Sequence, residues 1–387
     1  MLAKRMQRLG TETAFVVLAR AKQLEATGRD IVHLEIGEPD FDTPEHIIES
    51  AVKALQGGKT HYGPAAGLPD VRQTIADYIA KDRGIDVGAD NVVVTPGGKP
   101  IMYYVMTALV DEGDEVIYPN PGFPIYESVI NFLGAKPVPL KLDEARGFNF
   151  AVEDLASLVS ERTKMVILNS PQNPTGGVLS AKDLDRIAEL AVQKDFYVLS
   201  DEIYSRIIYD GEHDSIAKRP GMLDRTIILD GHSKTFAMTG WRLGYGVMPV
   251  DLAEAVSRLQ TNCTSCTATF TQIAGAKALN SPFDEVERMV EKFRERRDLL
   301  VDGLNDIPGI SCLRPKGAFY VFPNISGLGR GSDDIENLLL EKYGVAALSG
   351  TAFGDYGEGY LRFSYANNTD AISTALERVA RMSADIV

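Results

Sequence analysis

From about Pro44 to Leu279, short β-branched runs alternate with longer stretches whose apolar residues recur at helical spacing. Asn91 to Thr95, Glu115 to Tyr118, Met165 to Asn169, Tyr197 to Ser200, Thr226 to Leu229 and Leu243 to Val247 read as strands. Between them, Leu68 to Asp82, Pro100 to Val110, Phe123 to Phe132, Ala181 to Lys194 and Asp251 to Gln260 read as amphipathic helices. Strand, helix, strand in succession builds a mostly parallel sheet covered on both faces, so the expected fold class is α/β with a doubly wound sheet. In such sheets ligands sit beyond the carboxyl ends of the strands. Polar residues just after the strands are therefore the first place to look for chemistry.

The pattern then changes. A long helical stretch from Pro282 to Leu304 precedes Gly309 to Leu313, Ala318 to Phe322 and Tyr360 to Phe363, which read as strands of an open antiparallel layer. A helix over Glu12 to Ala26 has no strand near it in sequence and is expected to pack on that layer. At 387 residues the chain exceeds the ~250–300 at which a single core stops growing, so two domains are expected. The division runs between a large domain, residues 44–282, and a smaller α/β domain built from both chain ends, residues 1–43 and 283–387. No internal repeat is visible.

Composition narrows the function. Hydrophobic residues make up 44% and charged residues 24%, ordinary for a globular protein. The formal charge of −14 argues against a nucleic-acid partner, because phosphate would be repelled on average; an anion site must be local. No stretch approaches the ~20 apolar residues that span a bilayer, and Met1 to Thr13 lacks a signal-peptide core, which makes the cytoplasm the expected compartment and excludes a membrane partner. Cys263 and Cys266 form a Cys-x-x-Cys, but only Cys312 remains as a third thiol and the histidines form no metal spacing, so no metal is expected.

Five stretches carry chemistry. In Asp230-Gly-His-Ser-Lys-Thr-Phe-Ala-Met-Thr-Gly-Trp-Arg242, a lysine follows a strand among small and apolar neighbours. An amine in a partly desolvated pocket has the lowered pKa that imine formation needs, and Arg242 offers a planar fork suited to phosphate. In Asp201-Glu-Ile-Tyr204 an acid closes a buried strand. It is either the cap of a following helix or a carboxylate holding a pyridine nitrogen protonated, with Tyr204 donating to the ring oxygen and Ile203 against the ring face. Asn169-Ser-Pro-Gln-Asn173-Pro-Thr-Gly-Gly is a turn signal whose asparagine amide serves a ligand if one is there. Thr95-Pro-Gly97-Gly98-Lys99-Pro joins a strand to a helix and makes an anion cradle from free N–H groups. In Tyr360-Leu-Arg362-Phe, an arginine among apolar residues needs a carboxylate, supplied by a ligand or by one of the chain's own acids.

Taken together, from about Leu9 to the C-terminal helix, these stretches resemble the pyridoxal-phosphate fold type I aminotransferases of class I/II, nearest to the aspartate aminotransferase-like subgroup. The resemblance rests on Ser-Lys-Thr-x-Ala-Met-Thr-Gly-Trp-Arg, Asp-Glu-x-Tyr and Asn-Pro-Thr-Gly. It implies that Lys234 carries pyridoxal 5'-phosphate covalently, Asp201 pairs with its ring nitrogen, Tyr204 and Asn173 reach the ring oxygen, and Phe123 stacks on the ring. Gly98, Lys99 and Arg242 hold the phosphate. Tyr62 reaches the partner subunit's phosphate, which implies a homodimer with shared sites. Arg362 clamps the substrate α-carboxylate and Gly37 lies in the loop that closes over it. One departure stands out: many members place a phosphate-binding serine where this chain has Gly231, and whether Ser233 replaces it is left open.

The implied reaction moves an amino group from an L-amino acid, aspartate or glutamate, to a 2-oxo acid, 2-oxoglutarate, by a ping-pong sequence. The Gly97-Gly-Lys99 triplet is similar to that of members whose lysine meets a distal carboxylate, so Lys99 is either a specificity residue or a helix-start lysine pointing at solvent. Alanine or aromatic donors are the alternative, as is a carbon–sulfur lyase on the same fold. A regulatory protein fits less well, since no basic helix-turn-helix segment is visible.

Overall fold

The computed structural model describes residues 2–386. Twelve strands in three sheets run, in chain order, β1 (Val32–His33), β2 (Val92–Thr95), β3 (Glu115–Asn120), β4 (Lys136–Lys141), β5 (Thr163–Asn169), β6 (Tyr197–Asp201), β7 (Thr226–Gly231), β8 (Gly244–Val247), β9 (Tyr320–Val321), β10 (Val345–Ala346), β11 (Leu348–Ser349) and β12 (Leu361–Ser364). The main sheet has seven of them in the order β2-β8-β7-β6-β5-β3-β4, parallel throughout except for β8. Successive residues of a strand face opposite sides. Met165, Ile167 and Leu199 accordingly pack with the helices Lys99–Leu109, Ile125–Leu133 and Val250–Cys263, while Val166, Leu168 and Val198 pack with Ala181–Lys194 and Val152–Leu158. The sheet is doubly wound.

Its topology places the chemistry. Because β2, β3, β5, β6 and β7 share one direction, their carboxyl ends Thr95, Asn120, Asn169, Asp201 and Gly231 lie along one edge. The antiparallel β8 brings its first residue to the same edge, where Gly244 registers with both Thr95 and Gly231.

Residues from Thr13 to Leu34 meet the C-terminal part of the chain in the second layer, whereas the stretch before them lies on the helix Ile125–Leu133, where Gly10 N donates to Ser128 Oγ at 2.9 Å. β1 pairs parallel with β10, and β11, β12 and β9 form an antiparallel sheet. The helix Thr13–Ala26 packs on this layer, with Val17 buried beside Phe322, Ala346 and Leu348. The chain leaves β1 toward the edge of the main sheet, and Leu34 O accepts from Ser364 N of β12 at 2.7 Å. No helix among the described residues is long and apolar enough to cross a membrane.

Three expectations need correcting. Gly309 to Leu313 is a turn: Gly309 takes a left-handed φ of 82°, and Ser311 makes only one bridge, to Asn324. The strand expected over Ala318 to Phe322 shrinks to β9, because Ala318 itself has φ 57°. The helix expected from Phe123 starts at Ile125, after Pro124.

His33 ties the second layer together. Its ring bonds the buried Glu35 at 2.7 Å and Glu25 at 3.1 Å. The hydrogen bond to Glu35, aided by both carboxylates' charge, raises its pKa from the ordinary 6.5 to about 9. A folded-state pKa above the unfolded value stabilises fully below the unfolded pKa and is lost as pH rises through the folded one. Such a partly solvated pair contributes up to about 1 kcal/mol. His33→Ala is therefore expected to lower Tm by roughly 2 °C at pH 6, with the gap closing above pH 9 in thermal melts; a pH-independent gap would mean that His33 acts by packing alone.

Candidate active site

Twelve of the thirteen residues singled out from the sequence, all but Tyr62, line one cavity of about 560 Å³ at the carboxyl edge of the main sheet. It is floored by the ends of β6 and β7 and walled by the loop after β1 and by Tyr320 and Arg362 of the second layer. Tyr62 stands outside it, with 90% of its surface exposed.

Lys234 sits in the short helix His232–Thr235 that follows β7, so its amine projects from the edge of the sheet. Nζ donates to Gly37 O at 2.5 Å and stands over the Phe319 ring at 5.8 Å. Desolvation is the main cause that lowers its pKa from 10.5 to about 8; Glu38 opposes the shift and Arg362 adds to it. Glu38 in turn accepts from Thr239 Oγ1 across the loop after the lysine.

Asp201 ends β6 and is buried. Its carboxylate accepts from Tyr126 Oη at 2.6 Å and from Ile203 N at 3.3 Å. Desolvation nonetheless lifts its pKa from 3.8 to about 6. Tyr126, the second residue of the helix Ile125–Leu133, carried no role in the sequence pattern; its place at the start of that helix delivers it to Asp201. The following acid, Glu202, turns away into a buried cluster. Arg83 Nε donates to it at 2.6 Å and Arg83 Nη2 to Asp230 at 3.0 Å, while Ser200, Ser215 and His213 complete the Glu202 carboxylate.

Arg362 lies buried on β12, stacked on Tyr320 and Phe353 at 4.5 and 4.9 Å. It donates to Asn173 Oδ1 at 3.1 Å and to Glu35 O, and its Nε is left without a partner. No carboxylate pairs with it among the described residues, so the internal salt bridge weighed from the sequence is not formed. Asn173 is held by its own N–H donating to Asn169 Oδ1 at 2.9 Å. Tyr204 Oη meets Tyr320 Oη at 2.8 Å, and burial pushes its phenol well above the ordinary value of 10.

At the other end, no side chain caps the helix Lys99–Leu109, whose N-cap is Gly98. Arg242 takes φ 55°, folds onto Thr239 O at 2.8 Å and Pro96 O at 3.3 Å, and lies so close to Gly97 that a β-carbon there would strike its guanidinium. Free N–H groups at a helix start, with an unpaired guanidinium beside them, are an anion site. Ser233 lines the cavity nearby. Gly231 could not carry a side chain unless something moved: a β-carbon would lie 2.9 Å from Gly244 Cα. Lys99 does not point away into solvent; its ammonium faces the cavity over Phe123, 5.5 Å from the ring centroid, and pairs with Glu12. Nothing in the sequence pattern marked Glu12, whose partner is far along the chain.

Residues 29–379 match the family described as aminotransferase class I and II. The chain is 42% identical to an aspartate aminotransferase of Pyrococcus abyssi, with 92% of each chain covered. It is 40% identical to aromatic-amino-acid aminotransferase 2 of Thermococcus litoralis, with 91% of each covered. The solved structure of the Thermus thermophilus aspartate aminotransferase with maleate superposes with a TM-score of 0.95 at 38% identity, over 98% of this chain and 99% of that one.

Two measurements probe the cavity's electrostatics. The rate at which Lys234 is trapped by formaldehyde and cyanoborohydride, followed by peptide mass spectrometry, is expected to reach half its maximum near pH 8, whereas exposed lysines do so near 10.4. Tyr126→Phe removes a bond to the charged form of Asp201, so the carboxyl is expected to titrate above the parent's value of about 6 in infrared difference spectra; an unchanged titration would mean that the phenol does not set it.

Proposed function

Because this chain belongs to the class I and II aminotransferases, a family that uses pyridoxal phosphate, we propose that its cavity binds that cofactor and that Lys234 is the residue joined to it. Amino-acid transamination is the activity of the family. The observation that carries the cofactor assignment is the placing of a lysine of lowered pKa, a buried carboxyl and an uncapped helix start with a guanidinium in one cavity. The donor set fits the cofactor group by group: an amine for its aldehyde, an acid for its ring nitrogen, N–H groups and Arg242 for its phosphate.

In this reading Asp201 holds the ring nitrogen, Tyr204 and Asn173 the ring oxygen, Phe123 and Ile203 the two ring faces, and Gly98, the backbone of Lys99, Ser233 and Arg242 the phosphate, while the Lys99 ammonium faces the substrate side chain. When bound, the pyridoxal phosphate supplies an aldehyde that takes up the amino group and a conjugated ring that accepts the electrons left when the α-proton departs. Arg362 binds the substrate α-carboxylate, for which its buried guanidinium and unpartnered Nε are suited. The Lys234 amine is the base for the α-proton; a pKa lowered from 10.5 to about 8 gives it a far larger neutral fraction near neutral pH than an ordinary lysine has. Asp201 keeps the ring nitrogen protonated. Tyr126 positions Asp201. Gly37 belongs to the loop that closes the site, and its carbonyl already meets Lys234.

We read residues 44–282 as the domain that carries the cofactor and residues 1–43 with 283–387 as the smaller one. Aspartate or glutamate is the proposed donor and 2-oxoglutarate the acceptor, on the likeness of Gly97-Gly-Lys99 to the aspartate aminotransferases. The exposed Tyr62 is assigned to the phosphate of a second copy's site, which makes the protein a homodimer, and the cytoplasm is its proposed compartment.

Lys234→Ala is expected to lower turnover of any amino donor by roughly 10²- to 10⁴-fold and to abolish the visible absorption band of the purified protein supplied with cofactor. In the parent, that band is expected to be lost on adding aspartate or glutamate and to return with 2-oxoglutarate. Full turnover in the Lys234→Ala variant would overturn the assignment, and pyruvate release without an acceptor would point to a lyase instead.

A further inference from the structure

Lys99 is not a free cation waiting for a ligand. Its ammonium is held by the carboxylate of Glu12, the residue just before the helix Thr13–Ala26, which reaches the cavity from the second layer. The two partners are unequally wet: 49% of the Lys99 side chain is exposed but only 15% of Glu12. The acid is thus the more fixed member, and the lysine, on a long flexible stem, is the one that can move. Ala14, Phe15 and Phe123 line the cavity alongside them.

We propose that Glu12 is a specificity-determining residue, an internal carboxylate that occupies Lys99 when the substrate brings no second charge and yields it when the substrate does. The inference rests on the transaminase reading above, in which Arg362 takes the α-carboxylate and Lys99 faces the substrate side chain. With a neutral or aromatic side chain the Glu12–Lys99 pair stays closed, and the side chain packs against Phe123 and Phe15. With a dicarboxylic substrate Lys99 exchanges partners, and Glu12 is left charged beside the incoming carboxylate. Partly exposed ion pairs are weak, so the exchange is cheap, while the residual like-charge contact disfavours the dicarboxylic ligand. A transaminase must take two substrates in turn through one site, and this pair lets the site hold an uncharged side chain with Lys99 still paired, or a charged one at the cost of leaving Glu12 without its partner.

The test uses the cofactor-loaded protein and two non-reacting probes, succinate and 3-phenylpropanoate, whose Kd values are read by calorimetry beside kcat/KM for aspartate and phenylalanine. Glu12→Gln removes the competing charge and keeps the shape. It is expected to tighten succinate relative to 3-phenylpropanoate by about 5- to 10-fold and to raise the aspartate-to-phenylalanine ratio similarly, through KM, and the succinate gain is expected to shrink when Lys99→Gln is already present, leaving only relief of the like-charge contact. Ratios within twofold of the parent in Glu12→Gln, or an equal gain with and without Lys99, would overturn the proposal. The binding arm needs no turnover, so failure of the transaminase reading shows as absent kcat with either donor, whereas failure of this inference shows as unmoved ratios.

Discussion

Three buried acids meet at the carboxyl edge of the main sheet, Asp201, Glu202 and Asp230, and Arg83 is the guanidinium set between the last two. A buried carboxylate is tolerated only when paired or hydrogen-bonded. Arg83 satisfies Glu202 and Asp230 together, and two serines and His213 finish Glu202, whose pKa is driven far below the carboxylate range despite its burial. Asp201 and Glu202 are neighbours in an extended segment and so face opposite ways. The cluster therefore takes up one acid and leaves the other, with a phenol and a backbone N–H as its partners, facing the cavity at a pKa of about 6. The acid that can hold a protonated heterocycle exists because its neighbour has been neutralised elsewhere.

Close backbone approach is the second constraint. The antiparallel β8 wedges its first residue, Gly244, against Gly97 and Gly231, and a β-carbon on Gly244 would lie 2.5 Å from Gly97 C. That contact brings Arg242, two residues earlier, over the start of the helix Lys99–Leu109. It also accounts for the glycine at 231: the position faces backbone at 2.9 Å rather than the cavity. The anion site is thus set by glycine contacts between strands that are far apart in sequence.

Much of this was legible in the chain, and for physical reasons. Most strands of the main sheet are rich in apolar residues and buried on both faces, with β3, β7 and β8 and even the edge strand β2 fully buried throughout, which makes them stand out from the helical stretches. β4 was missed because Pro137 and Pro139 speak against a strand; they are accommodated because it is an edge, paired on one side only by β3. The helix Glu45–Gln56 was missed as well, although Ile47, Ala51 and Ala54 form its buried face. At the site, Lys234, Asp201, Asn173 and Arg242 were legible because each follows a strand within a turn-rich motif. Tyr126, Tyr320, Arg83 and Glu12 were not. Each acts through a partner 75 to 147 residues away, or 87 in the pair of Glu12 with Lys99, and a single sequence carries no trace of such a pairing.

The balance of charge inside the cavity explains how a chain of formal charge −14 can present an anion site at all. Four cations line it, Lys99, Lys234, Arg242 and Arg362, against three acids, Glu12, Glu38 and Asp201. Lys234 sheds its charge near pH 8 because it is desolvated. Among the described residues neither Arg242 nor Arg362 has a carboxylate partner; each donates to uncharged oxygens instead. Two fixed positive positions are therefore left open at opposite ends of the cavity's chemistry, one beside an uncapped helix start and one among aromatic rings. That count matches a ligand pair with one phosphate and one α-carboxylate, and with Lys234 joined to the cofactor in the proposed reading, Lys99 is the remaining lining cation among the described residues that could meet a third negative group. Since Glu12 already stands there, a second substrate carboxylate must compete with the protein's own, and the choice between acidic and neutral substrates becomes a comparison of two carboxylates for one ammonium.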